Sequence, residues 1–458
     1  MSKNVAIILS GGSGTRFGGL LPKQFTKLAG KAVMEYTIQQ FEDAGSIDEI
    51  IIVSQAQYID KTWSLVKRNN WKKVSKIVVG GKERFDSTAS AIKSMAGYPP
   101  ETKVLFHDSV RPLVTNKIIE DCIDKLDTFE AVDVVTPSAD TLVEIYDDGC
   151  IANIPNRAHM RRGQTPQAFL LKTISAAYNE ASRQNRFVFT CDCGVVRAML
   201  PHLRVATVDG SESNLKITQP IDLFIAEKLL QLSERTEIND RLDLSLLKNK
   251  VIVIFGGSSG IGKSIHNIAL LKGAKVFAAS RSANQTDVAD KRSVASFLKS
   301  IHDQTGKIDY VVNTAGLLIK KPIDTLSEQE ILDLININYL GTINVAIESK
   351  PYLSATKGML LNFTSSSYTR GRAYYALYSS SKSAIVNLTQ ALAEEWGAFG
   401  IRVNCINPER TKSPMRVENF GVEDPSLLLE AEDVAKTSLA TLLNNKTGII
   451  IDVRKDGR

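Results

Sequence analysis

Short apolar runs alternate along the chain with longer stretches in which apolar residues return every three or four positions. In the first half the runs are Val5–Leu9, Glu49–Val53, Lys76–Val79, Lys103–Phe106 and Ala131–Pro137, separated by helical spacing such as that of Ala32–Ala44. Brief apolar runs read as buried strands, and strand–helix alternation predicts a mostly parallel sheet covered on both faces. This series closes on a helix, Ile221–Leu232, and the polar stretch after it reads as a linker. From Lys250 a second series starts, with strands at Val251–Phe255, Lys275–Ala279, Tyr310–Asn313, Gly358–Phe363 and Ile401–Ile406. The pattern predicts two α/β domains, 1–235 and 248–458, joined by a linker over 236–247.

A chain of 458 residues suits two or three domains, and either half is long enough to bury its own core. The net charge of +6 is spread thinly over both halves, with no basic tail or stripe. Nucleic acid and membrane surfaces are therefore poor first guesses as partners, and anionic small molecules stay open. Five cysteines make no disulfide framework; Cys191 and Cys193, one residue apart, form neither a redox nor a zinc motif. The apolar run Val5–Leu9 is too short for a signal peptide, and no stretch approaches a membrane span. A reduced, cytoplasmic protein is the expectation.

Two glycine-rich turns carry the chemistry. Gly256-Gly257-Ser258-Ser259-Gly260-Ile261-Gly262 follows a strand and opens a helix, where close backbone approach and free N–H groups suit a pyrophosphate. Farther on, Asn313-Thr314-Ala315-Gly316 ends one strand and Thr364-Ser365-Ser366 another, and Tyr378 and Lys382, four apart, share a helix face. In this order the residues resemble the short-chain dehydrogenase/reductase family over 248–458. The resemblance implies a Rossmann fold with a dinucleotide on Gly256, Ser258, Ser259, Gly260, Ile261, Gly262, Asn313, Ala315, Gly316 and Pro408. It makes Tyr378 the acid, Lys382 the cation that stabilises its phenolate, and Ser365, 13 residues before Tyr378, the holder of the carbonyl oxygen. Asn338 would support a water leading from Lys382, and Tyr378 and Lys382 would also touch the cofactor. No carboxylate ends the second strand; Ser280 and Arg281 stand there, which favours a 2′-phosphate and hence NADPH, and Asp287 is the expected adenine contact. Tyr374 and Tyr375 are assigned to substrate wall or core. Departures are Glu409 after Pro408, where the family prefers glycine, and short segments before Asp287 and after Pro414, which predict a reduced substrate lid.

In the first half, Leu9-Ser10-Gly11-Gly12-Ser13-Gly14-Thr15-Arg16 follows a strand but fits neither the P-loop nor GxGxxG. A glycine-rich loop ending in Arg16, then Pro22-Lys23-Gln24, suits a triphosphate. With Gly80-Gly81-Lys82-Glu83-Arg84-Phe85-Asp86-Ser87, His107-Asp108-Ser109-Val110-Arg111-Pro112, Thr165-Pro166-Gln167 and Asn214-Leu215-Lys216-Ile217-Thr218, it resembles sugar-nucleotide pyrophosphorylases, and in detail the methylerythritol 4-phosphate cytidylyltransferase family. That implies a nucleotidyltransferase Rossmann-like sheet with CTP cradled by Gly11, Gly12 and Gly14. Arg16, Lys23 and Lys216 would neutralise the α-phosphate, Asp108 would hold Mg²⁺, and Gly81 and Ser87 would read cytosine. His107 is read as a packed neighbour, and Arg161 with Arg162 as a solvated pair. Thr141–Tyr146, Asp147-Asp148-Gly149 and Cys150–Ile154 predict a β-hairpin. In the resembling family such an arm embraces a second subunit, with Thr141 and Arg157 at the acceptor, which implies a homodimer.

The fused arrangement resembles bifunctional ribulose 5-phosphate reductase/CDP-ribitol pyrophosphorylases of capsule synthesis. It implies a pentulose 5-phosphate reduced in one half and the pentitol 5-phosphate coupled to CMP in the other. Lys320, Lys321, Arg370 and Arg372 are candidates for the 5-phosphate or plain solvated charges. Two alternatives stay open at this point: a methylerythritol 4-phosphate cytidylyltransferase fused to an unrelated reductase, and a cytidylyltransferase with a non-catalytic C-terminal scaffold.

Overall fold

The computed structural model describes residues 3–12, 22–241 and 243–455, without the side chains of 231–241. It divides into two compact units, Met1–Lys228 and Leu229–Arg458.

The first unit is built on a seven-stranded sheet. In chain order its strands are β1 (Asn4–Ser10), β2 (Glu49–Ser54), β3 (Val74–Val79), β4 (Lys103–Asp108), β5 (Ala131–Pro137), β6 (Arg161–Leu170) and β7 (Ala206–Asp209). They lie in the order β7-β5-β6-β4-β1-β2-β3. All neighbours are parallel except β6, which runs antiparallel to both β4 and β5. Successive residues serve opposite faces: Ala6 and Ile8 join one hydrophobic cluster, Val5 and Ile7 the other. Burial on both faces is why these strands read as unbroken apolar runs. The predicted arm is present as a two-stranded hairpin, Glu144–Ile145 with Ile151–Asn153. Its turn closes through Gly149 N–H to the Tyr146 carbonyl, with Gly149 at φ +86°.

Helix Pro220–Arg241 follows. It extends well beyond the expected Leu232, so half of the stretch read as linker is helical. Between Pro220 and Arg241 there is no glycine or proline to stop it.

The second unit holds a six-stranded, wholly parallel sheet of β8 (Val251–Phe255), β9 (Lys275–Ala279), β10 (Tyr310–Asn313), β11 (Met359–Phe363), β12 (Arg402–Pro408) and β13 (Ile450–Val453). The order is β9-β8-β10-β11-β12-β13, so the direction of winding switches between β8 and β10. In open α/β sheets ligands bind at the carboxyl ends of strands at such a switch. No described helix is long and apolar enough to cross a membrane, and all five cysteines are free.

Candidate active sites

In the first unit, the carboxyl ends of β1 and β4 converge on Asp108. Its carboxylate is buried and met by three cations: Arg84 Nη1 at 2.7 Å, Lys216 Nζ at 3.1 Å and Arg111 Nε at 3.2 Å. These cations hold Asp108 well below the usual carboxylate range although burial acts the other way. Arg84 also binds Asp192 through Nη2 at 2.7 Å, and Asp192 accepts from Thr88 and Tyr178 hydroxyls at 2.9 and 2.6 Å. Arg111 Nη1 reaches the Asn214 carbonyl at 2.8 Å, and Ile217 N–H bonds the Val110 carbonyl, which fastens the Asn214–Thr218 segment beside Asp108.

Lys216 is thus placed on Asp108. Lys23, half-buried in the turn Lys23–Phe25, acts electrostatically on Asp222, the carboxylate that accepts from Thr218 and Gln219 N–H at 2.7 Å each. Gly11 and Gly12 lie in a loop fastened by two glutamines: Gln24 Nε2 donates to the Ser10 carbonyl at 2.9 Å, Gln55 Nε2 to that of Gly11 at 3.0 Å. A methyl at Gly11 or Gly80 would come within 3.0 Å of Ser87 Oγ, so this loop and the Gly80–Ser87 turn meet across that buried hydroxyl, with Gly81 in the same turn. Gly14 and Arg16 lie outside the described residues. Thr141 and Arg157 stand exposed at the hairpin base, Arg157 Nη1 donating to the Ala139 carbonyl at 3.1 Å. His107 is packed as expected: burial pushes it down to about 3, and it bonds Thr165 and the Arg111 carbonyl. Arg161 and Arg162 are exposed, Arg162 paired with Glu212.

Asp108 offers a single carboxylate. Among the described residues no three acidic, histidine or cysteine side chains gather to hold a metal. Such a donor set suits an ion carried in on phosphates, not a resident one.

In the second unit a cavity of about 710 Å³ opens at the β8/β10 switch. Gly256, Ser258, Ser259, Gly260, Ile261 and Gly262 line it, as do Ser280, Arg281, Asp287, Ala315, Gly316, Ser365, Tyr378, Lys382 and Pro408. Gly256 sits at φ +81°, and a methyl at Gly262 would lie 2.4 Å from the Gly256 carbonyl oxygen. Only glycines let the turn fold so tightly into the helix Gly260–Leu271. Ser280 caps the next short helix by accepting from Ala283 N–H, which places Arg281 at the end of β9. Asn313 stays beneath the surface, its Oδ1 accepting from Ala315 N–H at 3.3 Å, so it shapes the Ala315–Gly316 turn from behind.

Tyr378 and Lys382 share one face of the helix Ala376–Trp396. Tyr378 is pushed up to about 12 by burial, opposed by its hydrogen bond with Ser365, so the phenol keeps its proton at neutral pH. Lys382 Nζ lies 5.6 Å from the centre of that ring and donates to the Phe363 carbonyl at 3.0 Å; burial pushes it down to about 8. Asn338 lies in a π-helical turn, Asn336–Leu340, where Oδ1 accepts from Leu317 N–H and Nδ2 donates to the Leu317 carbonyl, both at 2.8 Å. A methyl at Gly316 would touch Asn338 Oδ1 at 3.4 Å and Lys382 Nζ at 3.6 Å, so all three meet at the cavity floor. Tyr375 lines the wall; Tyr374 is exposed at φ +71°, neither wall nor core. The lid is short yet present: helix Pro414–Phe420 contributes Met415, Arg416 and Phe420 to the cavity.

The motifs contain Arg84 and Arg111, but nothing in the spacing marks them as the clamps of Asp108. Asp192, flanked by two cysteines, gave no signal at all.

The 2-C-methyl-D-erythritol 4-phosphate cytidylyltransferase family model matches residues 4–232, and the short chain dehydrogenase model residues 250–423. The chain is 48% identical over 456 residues to the bifunctional ribulose 5-phosphate reductase/CDP-ribitol pyrophosphorylase Bcs1 of Haemophilus influenzae, covering 99% of this chain and 96% of that protein. A ribitol-5-phosphate cytidylyltransferase of Lactiplantibacillus plantarum is 35% identical over 230 residues, 49% of this chain and 97% of the relative. Among solved structures, 4-diphosphocytidyl-2C-methyl-D-erythritol synthase from Anaerococcus prevotii aligns with TM-score 0.44 and 31% identity, over 50% of this chain and 99% of that one.

Proposed function

The chain belongs to the family of bifunctional ribulose 5-phosphate reductase/CDP-ribitol pyrophosphorylases, and from that premise we propose its two reactions. The second unit reduces D-ribulose 5-phosphate to D-ribitol 5-phosphate, and the first joins that product to CTP, giving CDP-ribitol and pyrophosphate. One observation carries the reading: a single relative of that activity spans both units and nearly all of either chain.

In the reductase, Ser365 holds the ketone oxygen and the Tyr378 phenol, protonated at neutral pH, gives that oxygen its proton. Lys382 stabilises the phenolate left behind, and Asn338 orients the route by which a proton returns. A bound nicotinamide supplies the hydride. The Gly256–Gly262 turn fits a pyrophosphate, and Arg281 with Ser280 at the end of β9 supports NADPH as the form used, with Asp287 toward the adenine.

In the transferase, a phosphate oxygen of the pentitol phosphate attacks the α-phosphorus of CTP, and the bond to pyrophosphate breaks. Positioning and positive charge suffice for such a step. Gly11, Gly12 and Gly14 cradle the phosphates, Gly81 and Ser87 receive cytosine, and Thr141 and Arg157 the acceptor. Arg16, Lys23 and Lys216 take the developing charge; Lys216 exchanges Asp108 for phosphate as CTP enters. Asp108 would then hold the Mg²⁺ that neutralises phosphate charge.

The hairpin supports a homodimer. Ile145, Tyr146 and Ile151 are each about 60% exposed, and a two-stranded hairpin is marginal alone. A cytoplasmic enzyme of small-molecule substrates fits the whole.

Incubation with ribulose 5-phosphate, NADPH, CTP and Mg²⁺, read by mass spectrometry, tests the proposal. The mass of CDP-ribitol is expected, and its dependence on both NADPH and CTP. A chain that transfers cytidylyl groups to methylerythritol 4-phosphate but not to ribitol 5-phosphate overturns it.

A further inference from the structure

The reductase cavity has a polar end that neither the cofactor cradle nor the Ser365–Tyr378–Lys382 group uses. Aromatic rings lead to it from the phenol: Tyr378 and Tyr375 have centroids 6.3 Å apart, and Tyr375 meets Phe420 edge-on at 5.9 Å. Two cations sit on the Phe420 ring, Lys320 Nζ at 4.6 Å and Arg416 Cζ at 4.5 Å from its centre. Arg416 is largely buried and near enough to Tyr378 for its charge to favour the phenolate. Arg372 and Arg410 line the same cavity. Two glutamates line the same cavity: Glu409, whose Oε2 accepts from Lys455 N–H at 3.2 Å, and Glu423, which faces these cations. Glu423 accepts from Arg416 Nε at 2.5 Å and Nη2 at 2.9 Å, and Arg410 and Lys320 add to the field that lowers it.

We infer that this end of the cavity binds the phosphate of the ketose, on Arg416 and Arg410 with Arg372 and the exposed Lys320 at the rim, and that Glu423 is a resident anion which the phosphate displaces. The inference rests on reading the second unit as a ketose-phosphate reductase. A guanidinium fork matches carboxylate and phosphate alike, so the two-bond Glu423–Arg416 pair already has the form of an arginine–phosphate contact. A phosphate brings more charge than a carboxylate to the same cations and wins the exchange. With the carbonyl at Ser365 and Tyr378, the remaining carbons run along Tyr375 and Phe420. Of the four basic candidates from the sequence, Arg372 lines the cavity, and Lys320, exposed and outside the lining, reaches it only through the Phe420 ring. Lys321 is bonded to Glu330 instead, and neither it nor the exposed Arg370 lines the cavity.

The test is steady-state NADPH oxidation by the full chain with D-ribulose 5-phosphate and, separately, unphosphorylated D-ribulose. Arg416→Met is expected to raise KM for the phosphate ester by about 30-fold or more and to shrink the preference for the ester over D-ribulose, read as the ratio of the two kcat/KM values, by about the same factor, so that any effect on the phenol common to both substrates cancels. Arg416→Lys, which keeps charge and loses the fork, is expected to fall between. Glu423→Gln is expected to lower KM for the ester severalfold, which a purely structural role would not do. An unchanged KM in Arg416→Met, or a raised one in Glu423→Gln, overturns the assignment; Arg410→Met, on an exposed side chain, repeats the test if Arg416→Met does not fold. Fluorescence of bound NADPH separates this from the reading beneath it. Inorganic phosphate is expected to shift that emission saturably in the wild type and not in Arg416→Met. A wild type that reduces no ketose phosphate but keeps this response refutes the substrate and retains the phosphate site. A wild type whose emission ignores phosphate refutes the site.

Discussion

Arg84→Met tests whether the buried charge network holds the transferase site together. Arg84 bridges Asp108 and Asp192 at 2.7 Å on each side, and both carboxylates are buried. Methionine fills much of the same space and removes the charge. Asp108 keeps Arg111 and Lys216, but Asp192 is left on the Thr88 and Tyr178 hydroxyls, which supply no positive charge. Breaking a buried pair from one side costs about 3–5 kcal/mol. For a domain of this size each kcal/mol is worth roughly 2–4 °C, so the first unit is expected to lose about 6–20 °C of thermal tolerance. The assay heats the full chain in steps and then measures both activities at 25 °C. CTP-dependent pyrophosphate release should vanish at the lower temperature, with NADPH oxidation following the wild-type curve. The sign with pH is also fixed. In the wild type Asp108 is held low, so its charge supports the fold at neutral pH and that support is lost only as pH falls through the lowered value. A shift under about 2 °C, against the roughly 6 °C minimum, would refute the network argument.

Tyr378→Phe should lower NADPH oxidation by about 10²- to 10⁴-fold and leave pyrophosphate release from supplied ribitol 5-phosphate intact; Lys216→Ala should do the reverse, and a folded variant lacking both activities contradicts separate sites. Lys382, pushed down to about 8, carries its charge below that pH, so ketone reduction should be steady near pH 7 and decline above about 8; a rate still rising at pH 9.5 speaks against Lys382 acting as a cation. Gly262→Ala puts a methyl 2.4 Å from the Gly256 carbonyl oxygen and 2.5 Å from Thr314 Oγ1, so KM for NADPH should rise at least about tenfold with cytidylyl transfer unchanged; unaltered NADPH kinetics would mean the turn does not hold the cofactor.

Strands buried on both faces were legible because they write themselves as apolar runs: Val251–Phe255, Lys275–Ala279 and Tyr310–Asn313 match residue for residue. β6 escaped because Gly163 and Pro166 fall inside it, at a break in its register against β5. β7 escaped because its positions alternate between buried and exposed, so Ala206–Asp209 makes no apolar run. The helix through 236–241 escaped because polarity reads as a linker unless the absence of helix breakers is weighed. The motif residues stood out because each motif concentrates unusual residues within a few positions, and the structure gathers them around Asp108 and along the β8/β10 cavity. What holds Asp108 did not show: Arg84 and Asp192 lie 108 positions apart, and only the fold brings them together. The Arg416–Glu423 pair is local but follows no repeated spacing, so its meaning comes from the cavity it faces.

An arm with its apolar side chains turned to water makes concentration a hidden variable. If Arg157 completes the acceptor site of a second copy, each chain is only half a transferase when diluted. Specific activity for cytidylyl transfer should then sag at nanomolar protein while ketone reduction holds. Mixing Lys216→Ala with Arg157→Ala should give back part of what each has lost, because the hybrid pair contains one intact site.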